Sequence, residues 1–247
     1  VERPRYSSGS RTIRRSLRYA FAKYAKASVE MTSFSGGERC ANLNLMVLYA
    51  ATSNAGKLAE FANAAQPSGI TVDALPGLKT LPEPVEDADT FIGNAEIKAR
   101  DYSLAAPGQL VFADDSGIEV AALNHAPGVR SARFADDLGF EPGTGSKDER
   151  NNRAVLQLME GREDRRARFV CALALARDGE ILLHSEGFVV GELLTATRGD
   201  DGFGYDPLFL LPSLGMTMAE LTREQKWAVS HRGKAFRALL GLLMPEL

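Results

Sequence analysis

Short apolar runs alternate with stretches of helical spacing from about residue 46 onward, and that alternation predicts an α/β chain. Leu45 to Ala51 is an apolar strand pattern; Thr52-Ser53-Asn54-Ala55-Gly56-Lys57 follows, and then Leu58, Phe61, Ala62 and Ala65 recur at helical spacing. Ile70 to Leu75 predicts a second strand. The Pro-rich stretch 76–89 carries Glu83, Glu86, Asp87 and Asp89 and is expected at the surface. Thr90 can cap a helix running to about Ala106, which Pro107-Gly108 ends. Its apolar stripe is Phe91, Ala95, Ala99 and Tyr102, while Asn94, Lys98 and Asp101 share another face. Asn94 and Lys98 can therefore address one ligand together, or form an ordinary solvated face.

The second half reads with the same grammar. Ile118 to Leu123 is a further apolar stretch, and the loop His125 to Arg133 follows it. Ser146-Lys147-Asp148-Glu149 is a capping box opening a helix with Asn152, Val155, Leu156 and Met159 inward. Ala167 to Ala176 and Glu180 to Val190 flank Asp178-Gly179, a strong hairpin signal, and the first of these strands is apolar on both faces. Leu208 to Leu211 predicts one more strand; Thr217-Met218-Ala219-Glu220 reads as another capping box. A last helix turns Phe236, Leu239, Leu240 and Leu243 inward.

The chain is organised around Leu110-Val111-Phe112-Ala113-Asp114-Asp115-Ser116-Gly117. A buried strand that ends in two adjacent carboxylates is costly unless something positive sits beside them. Side chains alternate along a strand, so Asp114 and Asp115 are expected on opposite faces with different tasks. Asp-Ser-Gly is also good turn chemistry, so this motif alone leaves site and turn about even. The segment Thr52 to Lys57 lies between a strand and a helix, where backbone N–H groups and Lys57 can meet a phosphate. It is not a Walker A loop, since Ala51 and Leu58 replace the required Gly and Ser/Thr. Arg198 to Pro207 packs three glycines around Phe203 and Tyr205 and three acids, a poor core but a good ligand loop. Lys226, His231 and Arg232 are either site residues or surface charges.

Charge divides the chain. Residues 1–45 hold nine Lys/Arg against three Asp/Glu, a balance of +6, whereas the rest carries -9 of the overall -3. An acidic body is unsuited to passive nucleic-acid binding. The basic segment resembles a transit peptide or a basic tail, or else the true start lies at Met31 or Met46, the reading favoured here. Some helix is expected between Ser16 and Met31, docked weakly to the body. Two cysteines, Cys40 and Cys171, make no disulfide framework and fit a cytoplasmic setting. No apolar run approaches the roughly 18 residues of a membrane span. The division expected is thus a basic extension, 1–45, and one domain, 46–247.

Six segments in order carry a resemblance: Thr52 to Lys57, Asn94 to Ala99, Ala113 to Gly117, Pro127 to Arg133, Phe203 to Pro207 and Ser230-His231-Arg232. Together they resemble the ITP/XTP/dITP pyrophosphatases over roughly residues 46–243. The resemblance implies an α/β fold with a long twisted mixed β-sheet, flanking helices and two lobes around a central cleft. It also implies a homodimer that uses Mg²⁺ to split a purine nucleoside triphosphate into monophosphate and pyrophosphate, with no nucleic acid or membrane partner. Thr52, Ser53, Asn54, Ala55, Gly56 and Lys57 would hold the phosphates with Lys98. Asp115 would be metal ligand and proton acceptor, beside Ser116, and Glu86 the second metal carboxylate. Phe203, Gly204, Tyr205, Asp206, Lys226, His231 and Arg232 would surround base and sugar. One departure is visible: Gly93 stands where the family often has Glu. The runner-up is a related pyrophosphatase with another base preference; a nucleotide-binding regulator without turnover is the other class.

Overall fold

The computed structural model describes residues 46–140 and 145–243. The basic segment 1–45, with its expected helix and Cys40, lies outside the described residues.

Seven strands form one mixed sheet in the order β2-β1-β3-β4-β5-β6-β7. They are β1 (Val47–Ala50), β2 (Thr71–Ala74), β3 (Leu110–Val120), β4 (Arg166–Arg177), β5 (Glu180–Leu193), β6 (Phe209–Leu211) and β7 (Met216–Thr217). β1 pairs in parallel with both β2 and β3, and every other pairing is antiparallel. Parallel neighbours need crossovers, and helices α1 (Ala55–Ala65) and α2 (Phe91–Leu104) supply them. Asp178 and Gly179, at φ 53° and 81°, make the two-residue turn that joins β4 to β5. Both take the left-handed conformation that matches strand twist in a tight hairpin.

Helices α3 (Lys147–Leu158), α4 (Arg223–Val229) and α5 (His231–Leu243) complete the frame. Ser146 and Glu149 close the expected capping box at the start of α3. The box expected at Thr217 opens no helix. Glu220 does accept from the Thr217 N–H (2.7 Å), but the Thr217 hydroxyl donates to the Arg198 carbonyl (2.8 Å) instead of capping. The working box is Thr222 with Gln225, one turn later, at the start of α4.

The central strands explain the apolar runs. Cys171 to Ala176 of β4 are fully buried, because α2 covers one face and α5 the other. On the α5 side, Phe61 of α1, Phe112 of β3 and Phe236 of α5 meet with ring centroids 5.0–5.6 Å apart, Phe61 and Phe112 edge to face. Such pairs add about 0.5–1.5 kcal/mol beyond area burial. On the other face, Phe91, Ala95 and Ala99 of α2 pack against Ala113, Val170, Ala172, Ala174 and Ala176. Small residues there let the helix lie close to the sheet.

β3 corrects one expectation. The two carboxylates do not end it; the strand continues through Ser116-Gly117 to Val120 in register with β4. Gly117 serves close approach, not a turn: a Cβ there would overlap the Ser131 hydroxyl and lie 2.6 Å from the Gly128 carbonyl oxygen. The same Ser131 hydroxyl accepts from the Ile118 N–H (2.9 Å) and donates to the Gly128 carbonyl (2.6 Å). Gly117→Ala is therefore expected to cost about 1–3 kcal/mol, the range for overpacking, in denaturant unfolding. An unchanged midpoint would show that the 128–133 segment yields freely.

Candidate active site

Asp114 and Asp115 sit adjacent on β3 and face different helices. Lys57, in the first turn of α1, places its Nζ 2.7 Å from Asp114 Oδ2. Lys98, midway along α2, places its Nζ 3.1 Å from Asp115 Oδ1 and 3.1 Å from Glu86 Oε2. Alternation along the strand thus sends the two carboxylates to two separate lysines. Asn94, one turn before Lys98 on α2, donates from Nδ2 to Asp115 Oδ2 (3.3 Å) and accepts from the Ala88 N–H (3.0 Å). The Pro-rich loop that carries Glu86 is thereby tied to the carboxylate of Asp115.

The two aspartates are pushed in opposite directions. Burial alone would raise Asp114, but Lys57, Arg232 and Lys98 outweigh it and hold the carboxyl far below the usual range. For Asp115 burial prevails over Lys98, and the negative charge of Glu86 adds to it, so its pKa is raised. Burial also opposes the charge on Lys98, yet Asp115, Asp114 and Glu86 more than offset it and raise its pKa. The result is a permanently ionised Asp114 beside a more basic Asp115. Environments that split two neighbouring carboxyls mark acid–base sites.

The segment Thr52 to Lys57 turns into α1. Asn54 caps the helix by accepting from the Lys57 N–H (3.1 Å), and Thr52 Oγ1 accepts from the Asn54 N–H (3.2 Å). Ser53, Asn54, Ala55 and Gly56 are exposed, so the helix start is open to a ligand. Its early N–H groups lack intrahelical partners.

The second half of the site is less exposed than its sequence suggests. Lys226, His231 and Arg232 are all buried, not surface charges. Lys226 Nζ donates to Asp206 Oδ2 (2.6 Å), and Arg232 donates to Glu60 Oε2 (3.1 Å) and Ser116 Oγ (3.4 Å). Ser116 Oγ in turn donates to Asp114 Oδ2 (3.3 Å). Both cations lie over the Phe203 ring, Lys226 Nζ at 4.9 Å and the Arg232 guanidinium carbon at 5.2 Å from its centroid. Arg232 therefore links the aspartate pair to the aromatic loop. Of that loop, Phe203 stays partly open, whereas Tyr205 turns into the core and donates from its hydroxyl to the Ser131 carbonyl (2.9 Å). Asp206 is buried and ties the loop to itself, accepting from the Phe203 N–H (2.9 Å).

His231 stacks on Phe169 with centroids 4.8 Å apart and planes at 16°, and its Nδ1 has no partner among the described residues. Burial, then Arg232 and Lys226, lowers its pKa well below the ordinary value. The folded protein keeps it neutral while the unfolded chain protonates it near pH 6.5, so this residue makes stability fall as pH drops below that value. His231→Gln is expected to flatten the stability–pH curve between pH 6 and 5 by about 1.4 kcal/mol per unit. Parallel curves from urea titrations would disprove a neutral buried imidazole.

Sequence reasoning missed Glu60 and the pairing of Asp114 with Lys57. Glu60 follows Lys57 by three residues on α1, a spacing that places both on one side of the helix. Gly93 proves tightly enclosed: a Cβ would lie 2.7 Å from Ala88 Cβ, so a larger residue there needs segment 88–93 to move. Cys171 is free and buried, its thiol pushed up to about 12 by burial. No helix among the described residues is long and apolar enough to cross a membrane.

Comparison with known proteins identifies the family. The Ham1 family model matches residues 48–242. The dITP/XTP pyrophosphatase of Acidobacterium capsulatum is 52% identical over 199 residues, covering 80% of this chain and 98% of that protein. That of Deinococcus radiodurans is 44% identical over 210 residues, 85% of this chain and 98% of its own. The structure of the Staphylococcus aureus Ham1 protein superposes with a TM-score of 0.69 at 36% identity, covering 81% of this chain and all of that one. A nucleoside-triphosphatase, the dITP/XTP pyrophosphatase of Mycobacterium abscessus, gives 0.59 at 39% identity, over 79% and 99% of the two chains. With the match running from β1 to α5 through every segment of the site, the chain belongs to the Ham1 family.

Proposed function

We propose that the protein hydrolyses non-standard purine nucleoside triphosphates (ITP, dITP and XTP) to the monophosphate and pyrophosphate, with Mg²⁺ as cofactor. The observation that carries this reading is the cluster in which Lys98 bridges Glu86 and Asp115 while Lys57 holds Asp114. A triphosphate needs fixed positive charge and hard oxygen donors at one place, and this cluster offers both. The names of the relatives point to dITP and XTP.

The residues fit a magnesium ion. Among the described residues no three His, Cys, Asp or Glu side chains gather into a closed cage. Mg²⁺ does not ask for one, since it commonly uses one or two carboxylates together with substrate phosphates. Asp115 and Glu86 would hold it, and when bound it supplies neutralisation of charge on the phosphoryl oxygens.

The chain's own groups supply the rest. Lys57 and Lys98 supply positive charge for the phosphates beside the open N–H groups of Ala55 and Gly56. Asp115, raised by burial, accepts a proton at its carboxylate, and Asn94 and Lys98 fix its orientation. Phe203 stacks on the base. Lys226 and Arg232 are donors only, so they favour a 6-oxo acceptor over the 6-amino donor of adenine. A homodimer in the cytoplasm completes the proposal, and the free Cys171 suits a reducing compartment.

The test is a panel of ITP, dITP, XTP, GTP and ATP with Mg²⁺, products identified chromatographically. Monophosphate and pyrophosphate from the first three, with ATP slower by roughly 10²-fold or more, is the expected result. Release of inorganic phosphate alone, or equal rates for ATP, would overturn it.

A further inference from the structure

Helix α3 lies outside the phosphate cluster, yet two of its side chains grip the aromatic loop. Asp148 Oδ2 accepts from the Gly204 N–H (2.7 Å), and Asn152 Nδ2 donates to the Gly204 carbonyl (2.9 Å). The two residues are four apart and share one face of the helix. Both polar groups of one glycine are thus held from outside the loop.

The rest of the loop is fixed as firmly. Gly202, at φ 86°, packs where a Cβ would overlap the Asp206 carboxylate, and Gly204 takes φ 62°. Asp206 joins the Phe203 N–H to Lys226, and Tyr205 is anchored on Ser131. With Gly204 clamped and Tyr205 and Asp206 buried, the Phe203 ring is the half-buried aromatic side chain that this turn presents. Asn152 is itself buried, and its Oδ1 has no partner among the described residues. A buried acceptor left unpaired is costly, so a position serving the fold alone would favour an apolar side chain. What the amide supplies here is its donor, to the Gly204 carbonyl.

We infer that Asp148 and Asn152 are positioning residues that hold Gly204 and thereby aim the Phe203 ring at the nucleobase. This rests on the reading of Phe203 as the stacking group. Both residues bond to Gly204 in the aromatic loop and not to Lys57, Lys98 or Asp115, so their loss is expected to act on the nucleoside end of the substrate. A tilted ring weakens base binding while leaving Lys57, Lys98 and Asp115 in place.

The experiment compares Asp148→Ala, Asp148→Asn, Asn152→Ala and Phe203→Ala in the full chain. Three quantities are read: kcat and KM for ITP, inhibition by inosine monophosphate, and inhibition by pyrophosphate, which has no base. Asp148→Ala and Asn152→Ala are each expected to raise KM and weaken inosine monophosphate by roughly tenfold, with kcat and pyrophosphate inhibition held within about twofold. Asp148→Asn keeps an oxygen acceptor for the Gly204 N–H and is expected to restore most of the loss. If Phe203→Ala weakens inosine monophosphate but the α3 variants do not, the positioning role is wrong and the stacking reading stands. If Phe203→Ala also leaves inosine monophosphate unchanged, the stacking reading itself fails and the inference falls with it. Equal losses for inosine monophosphate and pyrophosphate in the α3 variants would mean a general defect of folding, which also overturns it.

Discussion

Asp115→Asn is expected to keep the fold and lose turnover by about 10²-fold or more, measured as pyrophosphate release from ITP. Three features converge on this residue. Its Oδ1 meets Lys98 and its Oδ2 meets Asn94, so the carboxylate is held at both oxygens. Burial makes it a better proton acceptor than an exposed carboxylate, and Glu86 strengthens that trend. Asparagine keeps the shape, and its oxygen can still accept from Lys98. Its amide nitrogen then faces the Asn94 amide, donor against donor, and it neither accepts a proton nor serves as a hard anionic ligand. The melting temperature should move by only a few degrees, because Lys98 retains Glu86 as partner. Near-normal activity in a folded Asp115→Asn protein would remove this carboxylate from the chemistry.

Much of the scaffold was legible because local signals agree with tertiary need. Asp178-Gly179 specifies the β4–β5 turn by backbone conformation alone, and the doubly apolar run of β4 is fully buried as its composition implies. Ser146 and Glu149 announce α3 through hydrogen bonds within four residues. The signals that local reading left open or misplaced are those answered from far away. Asp-Ser-Gly looks like a turn, but Gly117 is a glycine because Ser131 presses against it, fourteen positions later. Thr217 looks like a cap, but its hydroxyl is taken by the carbonyl of Arg198. Lys226, His231 and Arg232 could not be told from surface charges, because burying them depends on Asp206 and Glu60, which no spacing rule connects to them.

Asp114 shows the same limit at the heart of the site. Alternation along β3 separates it from Asp115, as the strand period requires, and that much follows from sequence. What it faces does not. Lys57 arrives from fifty-seven positions earlier and the Arg232 charge from the last helix, so the low pKa of Asp114 is a property of the assembled sheet. The glycine, the serine and the two aspartates of one short motif thus serve four distinct contacts: helix α1, helix α2, the Arg232 side chain and the 128–133 segment.

Arg232→Met carries the largest expected cost in stability. The side chain is only 2% exposed, yet its charge is favoured because its surroundings, Asp114 first and then Cys171, Glu60 and Asp206, outweigh burial. Methionine fills much of the stem's space, so packing loss is modest. The electrostatic loss is not, since removing one partner of a buried charged network leaves the others uncompensated, at about 3–5 kcal/mol. Glu60 is partly open and recovers some of this from water, which places the expectation near the lower bound, about 3 kcal/mol. The pH dependence identifies the source. Asp114 has a depressed pKa in the folded protein, so its contribution is fully present above the unfolded value near 4 and is lost as pH falls below it. Without Arg232 the depression is smaller, so less is lost on acidification, and the gap between the two proteins should narrow from pH 7 to pH 3. Asp114→Asn should likewise cost less in the Arg232→Met background than in the native one, a coupling read from a double-mutant cycle of urea unfolding. A gap that stays constant with pH, together with strictly additive costs, would show that Arg232 stabilises by packing and not by its charge.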